Sequence, residues 1–164
     1  KPVIARVQGY AIGGGNVLAT ICDLTICSEK AQFGQVGPKM GSVDPGYGTA
    51  FLARVVGEKK AREIWYLNRR YSGAEAVAMG LANFCVPHDQ LDAEVQKIGE
   101  ELCERSPTAL AIAKRSFNMD TAHQAGIAGM GMYALKLFYD TEESREGVNA
   151  LKEKRKPEFR KYAR

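Results

Sequence analysis

Three glycines in a row, Gly13, Gly14 and Gly15, close the run Gly9-Tyr10-Ala11-Ile12-Gly13-Gly14-Gly15-Asn16. A β-branched stretch, Pro2–Val7, precedes the run, and an apolar stretch, Val17–Cys22, follows it and reads as a helix. Glycines between a strand and a helix leave backbone N–H groups with no side chain in front of them. The first N–H groups of a helix also lack internal partners, and the helix dipole adds positive potential there. Such a turn can hold an oxyanion as it develops. Tight strand–helix packing is the commoner use of a glycine turn and stays open at this point. The phosphate-loop pattern fails, because no Gly-Lys-Ser/Thr ends the run. The dinucleotide pattern fails too: the glycines are contiguous and no acidic residue follows at about 20 residues. The ligand class left is an oxyanion such as a thioester enolate.

A second group lies in the glycine-rich loop Gly37–Gly48. Ser42 and Asp44 are two apart on an extended segment, a spacing that turns both to one pocket. The alternative is that they cap the helix that follows. Tyr139 ends an apolar helix, where an aromatic commonly keeps its hydroxyl in water. Cys22, Cys27, Cys85 and Cys103 match no zinc spacing and read as buried, reduced thiols of a cytoplasmic protein. No metal site is expected, and His88 and His123 are given no chemistry.

Short strands are expected at Pro2–Val7, Asp23–Cys27, Ala31–Gly34 and Leu81–Val86. Helices are expected at Thr49–Val56 and Lys59–Arg69, split at Gly57. Ser72-Gly73-Ala74-Glu75 is a capping box for a helix stopping at Gly80. Leu91, Val95, Ile98 and Leu102 recur at helical spacing. Ser106-Pro107 starts a further helix to about Asn118, followed by Ala122–Tyr139 and Thr141–Lys154. Strands alternate with helices early and helices dominate late, so the fold class is α/β with a helical C-terminal region. The division falls into residues 1–88, an α/β core, and residues 89–164, a helical part.

At 164 residues the chain can bury one core. No apolar run is long enough to cross a membrane, and no signal peptide is visible. Lys1 leads straight into a strand, so the chain reads as the C-terminal part of a longer protein. Residues 152–164 carry seven basic side chains against two acidic ones, a net +5, which leaves −1 for the rest of a chain of net charge +4. A solvated end is the default for such a tail. Nucleic acid is not expected as a partner, because the body has no basic face.

Together these pieces resemble the crotonase (enoyl-CoA hydratase/isomerase) superfamily. The residues that carry the likeness are Lys1-Pro2-Val3-Ile4-Ala5, Gly9–Gly15, Asp23-Leu24-Thr25-Ile26, Phe33-Gly34-Gln35 and the segment Ala74–Pro87. Within it, Gly34–Lys39, Gly41-Ser42-Val43-Asp44, Lys59–Trp65, Phe138-Tyr139 and Glu153–Phe159 are similar to one branch. That branch holds the 1,4-dihydroxy-2-naphthoyl-CoA synthases and the 2-ketocyclohexanecarboxyl-CoA hydrolases. The resemblance implies the crotonase (ClpP-like ββα) fold and a coenzyme A thioester as substrate, with no tightly bound cofactor. It implies homo-trimers or hexamers built through the C-terminal helices, which also cover the active site. It also implies a preceding portion of about a hundred residues, an ordinary size for such a unit. That portion carries the first oxyanion N–H, so the chain alone is expected to be catalytically incomplete.

The resemblance places an oxyanion donor at Gly13-Gly14, chiefly the Gly14 N–H. It gives Asp44 a part in proton transfer at the reacting ketone, Ser42 a place nearby, and Tyr139 a hydrogen bond in the active site. Gln35, Gly37 and Trp65 match a bicarbonate pocket of one synthase class, with Gly37 leaving space that a carboxylate fills in another. Lys154 or Arg155 would reach CoA phosphates, and Val43 would touch the acyl group. Departures from the synthase pattern point to the hydrolase: Val43 replaces an aromatic, Pro45 follows Asp44, Tyr47 replaces a tryptophan, and Asn16 replaces a histidine. Ring-opening hydrolysis of 2-ketocyclohexanecarboxyl-CoA to pimelyl-CoA is therefore expected, with the ring-closing synthase of menaquinone biosynthesis, or another enoyl-CoA hydratase/isomerase family member, as the alternative. The paired catalytic glutamates of plain enoyl-CoA hydratases are not evident.

Overall fold

A computed structural model describes residues 1–163. β1 (Ile4–Val7) runs into Gln8 and Gly9, and β2 (Tyr10–Ile12) follows. β2 lies inside the run that the sequence presents as one turn, because its three residues offer no alternation to mark a strand. α1 (Gly14–Ile21) then starts earlier than the apolar run at Val17 suggests. Gly13 takes a left-handed φ of 57°, its N–H donates to Gly34 O at 3.0 Å, and Val17 N–H donates to Gly13 O at 3.0 Å. The helix is thus closed onto Gly13, and the glycines form its first turn.

β3 (Leu24–Ser28) and β4 (Gln32–Gly34) follow, then the short helix α2 (Gly37–Met40). α3 (Tyr47–Val56) and α4 (Glu58–Leu67) are split at Gly57, which has a left-handed φ of 79°. β5 (Tyr71–Ser72) leads into α5 (Gly73–Ala78), which carries the expected capping box between Ser72 and Glu75. β6 (Phe84–Val86) is half the length expected, because Leu81 and Ala82 turn back to bond Ala76 O.

Two three-stranded sheets result. In the first, β3 lies between β1 and β6, all parallel, with Ile4 opposite Leu24 and Cys27 opposite Cys85. In the second, β4 pairs parallel with β2 and antiparallel with β5. Ile26, Cys27 and Phe33 on these central strands are wholly buried, with Leu52 of α3 and Ile64 of α4. Burial pushes the Cys27 thiol up to about 12, reinforced by its neighbour Cys85. Cys103 corrects the sequence expectation: it is exposed at the end of its helix, and Cys22 and Cys85 are half-buried.

The helical part comprises α6 (Leu91–Cys103), α7 (Pro107–Asp120), α8 (Ala125–Tyr139) and α9 (Glu142–Lys152). Arg6 of β1 pairs with Asp92 of α6, and Lys114 of α7 with Asp23 ahead of β3. Among the described residues no helix is long and apolar enough to cross a membrane.

Candidate active site

A cavity of about 510 Å³ opens at the N-terminus of α1. Gly13, Gly14, Gln35, Gly37, Ser42, Val43, Trp65 and Tyr139 all line it. The segment just after β4 delivers Gln35, α4 delivers Trp65, the loop after α2 delivers Ser42 and Val43, and the end of α8 delivers Tyr139. Residues distant in the chain are thereby brought round one space. Met40, Pro45 and Leu135 also line it and were not expected there. Leu135 stands four residues before Tyr139 on one helix, so the spacing alone puts both on one face.

Gly14 is the first residue of α1, and its N–H makes no hydrogen bond among the described residues. Ser42 Oγ and Tyr139 Oη lie 3.0 Å apart in the same cavity. Either hydroxyl can donate to the other or to a third oxygen beside them. Gln35 is 2% exposed, and its Nε2 finds no partner among the described residues. A buried amide donor without an acceptor costs stability.

The Trp65 indole N–H donates to Gly48 O at 2.5 Å, so Trp65 offers the cavity its ring rather than its donor. A Cβ on Gly37 would stand 3.0 Å from Trp65 Cζ3 and 3.1 Å from Ser42 O. The expected open space beside Gly37 is therefore narrowed by the indole and the loop backbone.

Asp44 does not line the cavity. Its Oδ1 accepts from Gly46 N–H at 3.1 Å and Gly48 N–H at 3.0 Å. Its Oδ2 accepts from the Thr49 N–H and hydroxyl, each at 2.7 Å. Gly48 and Thr49 belong to the first turn of α3, where N–H groups lack internal partners. The capping alternative is thus the arrangement present, and both oxygens are engaged.

The loop is gripped from outside by two helices. A Cβ on Gly147 of α9 would lie 2.3 Å from Met40 C, and one on Gly131 of α8 would lie 2.6 Å from Pro45 C. Both helices therefore rest backbone-to-backbone on the segment that carries Ser42 and Val43.

Lys154 and Arg155 lie beyond α9, outside the cavity. Arg155 is committed: its guanidinium forks onto Glu146 at 2.6 and 3.1 Å and its Nε meets Glu153 at 2.6 Å. Arg155, with the Glu158 N–H, holds the Glu146 carboxyl down to about 2. Arg155 thereby anchors the tail to α9, which leaves Lys154 as the unpaired cation of the two expected at CoA phosphates. Lys154 is exposed, has a left-handed φ of 55°, and forms no ion pair among the described residues. No cluster of metal-ligating side chains occurs among the described residues.

The family model described as enoyl-CoA hydratase/isomerase matches residues 1–162. An enoyl-CoA hydratase/isomerase from Pseudoalteromonas atlantica T6c is 26% identical, with a TM-score of 0.91 over 97% of this chain and 64% of that one. An enoyl-CoA hydratase from Mycobacterium avium subsp. paratuberculosis K-10 is 30% identical, with a TM-score of 0.89 over 96% and 65%. A carnitinyl-CoA dehydratase from Mycobacterium avium 104 is 28% identical, with a TM-score of 0.88 over 96% and 63%. The chain thus spans less than two thirds of the length of these relatives. The likeness fixes the architecture as the crotonase fold. With the family model matching from the first residue almost to the last, the chain belongs to the enoyl-CoA hydratase/isomerase family.

Proposed function

We propose that this chain supplies one oxyanion donor and the ketone-facing hydroxyls of an acyl-CoA site, and that the reaction is hydrolytic ring opening of 2-ketocyclohexanecarboxyl-CoA. One observation carries the reading. Gly14, whose N–H is unpaired, and the Ser42–Tyr139 hydroxyl pair line one cavity, and Gln35, whose buried Nε2 finds no partner among the described residues, belongs to its wall. A thioester oxygen at Gly14 puts the 2-keto group toward Ser42 and Tyr139. Water adds to the ketone carbon, with the hydroxyl pair holding the ketone oxygen and passing the proton. The bond between that carbon and the thioester Cα then breaks. Its electrons become the thioester enolate, whose oxygen Gly14 N–H holds. A proton taken up at Cα gives pimelyl-CoA. Val43 and Pro45 leave an aliphatic wall suited to an alicyclic ring. A part for Asp44 in proton transfer requires it to give up one of the donors from α3.

The synthase reading is favoured by one feature, the unpaired Gln35 Nε2, which suits a small oxyanion such as bicarbonate. Gln35 would hold it with Trp65 and Gly37 as walls, and it would supply a base for a Cα proton. Lys154 is proposed for CoA phosphates, as a point charge suits them. Further copies of the chain are proposed to cover α7 and α8, where Phe117, Met130, Tyr133 and Leu137 are each more than two-thirds exposed.

The test is product analysis by mass spectrometry on the whole protein. With 2-ketocyclohexanecarboxyl-CoA we expect pimelyl-CoA. Turnover of o-succinylbenzoyl-CoA alone, to the naphthoyl-CoA, would replace the hydrolase with the synthase.

A further inference from the structure

A second groove, of about 450 Å³, begins where the cavity ends, sharing Met40, Ser42 and Tyr139 with it. Its far wall is α9. Arg145, Val148, Asn149 and Lys152 fall there at helical spacing i, i+3, i+4 and i+7, so one face presents all four. Arg145 and Lys152 are exposed and form no ion pair among the described residues, and no carboxylate lines the groove. The wall is preformed, since Gly147 seats α9 directly on the Met40–Gly41 backbone. The groove thus adjoins the Ser42–Tyr139 pair, does not include Gly14, and is lined by two cations that form no ion pair among the described residues.

We propose that this groove is an anion subsite for the acyl group, taking the carboxylate that ring opening creates. The inference rests on the acyl-CoA reading above and adds the charge of the acyl terminus to it. When the C–C bond breaks, the former ketone carbon becomes a carboxylic acid. It loses its proton to water and is no longer tied to Cα. The Arg145 fork, the Lys152 ammonium and the Asn149 amide then offer the donors a carboxylate accepts. Holding it there separates it from the enolate carbon and opposes re-closure. A CoA phosphate is the other anion such cations attract, and the two sources differ in what they predict.

The experiment is calorimetric binding on the whole protein of two thioesters of equal chain length, pimelyl-CoA and heptanoyl-CoA. The protein is compared with the double variant Arg145→Gln/Lys152→Gln. Both side chains are exposed and unpaired, so the fold is retained. The loss for pimelyl-CoA is expected to be about tenfold, the scale of hydrogen bonds to a charged group at a partly exposed site. Heptanoyl-CoA is expected to stay within about twofold. Equal losses for the two thioesters would assign the groove to CoA phosphate and overturn the subsite. No loss for either would overturn it as well. A wild-type protein that binds neither thioester would overturn the acyl-CoA reading itself.

Discussion

Asp44 is bound by four donors, three of them backbone N–H groups, and its contribution follows from that. Asp44→Ala leaves the first turn of α3 without its acceptor. We expect a loss of about 1 kcal/mol, as for other caps, and a fall of about 2–4 °C in the thermal midpoint. Asp44→Asn keeps one oxygen and is expected to lose less. An Asp44→Asn variant with an unchanged melt and abolished turnover would instead return the carboxylate to proton transfer. Single residues were legible in unequal measure. The free N–H of Gly14 was legible because a backbone group needs only the chain's path. The choice between cap and catalyst at Asp44 was not, since both use the same residue type ahead of a helix. The pairing of Arg155 was hidden because its partner Glu146 lies nine positions back, across the left-handed turn at Lys154.

The helices α8 and α9 owe their place to missing side chains. Intrinsic propensity favours alanine over glycine in a helix by up to about 1 kcal/mol. Gly129 of α8 has nothing within 4 Å of its absent Cβ, so Gly129→Ala is expected to raise stability to urea by part of that amount. Gly147→Ala has the same propensity gain but drives its Cβ into the Met40 backbone. We expect it to lower stability by about 1–3 kcal/mol and to free the Ser42 segment. Equal urea midpoints for the two variants would show that α9 is not seated on that loop. The helix starts at Ser72, Ser106 and Thr141 were readable, because each cap acts within four residues of itself. β2 and the early start of α1 were hidden. They depend on β4, whose Gly34 carbonyl captures Gly13, and no local pattern announces that pairing.

Taken whole, the molecule is a two-sheet body on which four helices rest unevenly. α7 has no buried residue and α8 has only Gly131, while Met119 and Tyr133 on them are 77% and 74% exposed. Such apolar surface is large for a free-standing chain. The runs Lys1–Ala5, Gly9–Gly15, Asp23–Ile26, Phe33–Gln35 and Ala74–Pro87 made the family legible from the sequence. Which side chains meet in the cavity depended on packing, above all at Gly131 and Gly147. The reading as a whole turns on a single backbone group, the Gly14 N–H, holding a thioester enolate. Gly14→Pro removes that N–H at the first helical position, where proline is accommodated. Gly14→Ala keeps it, and its Cβ points into open space. The measurement is deuterium uptake from D₂O at Cα of pimelyl-CoA by the whole protein, with melts recorded alongside. We predict that Gly14→Pro slows uptake by about 10²–10³ with the melt retained, while Gly14→Ala stays near the wild-type rate. Wild-type uptake in Gly14→Pro would show that the glycine turn only packs.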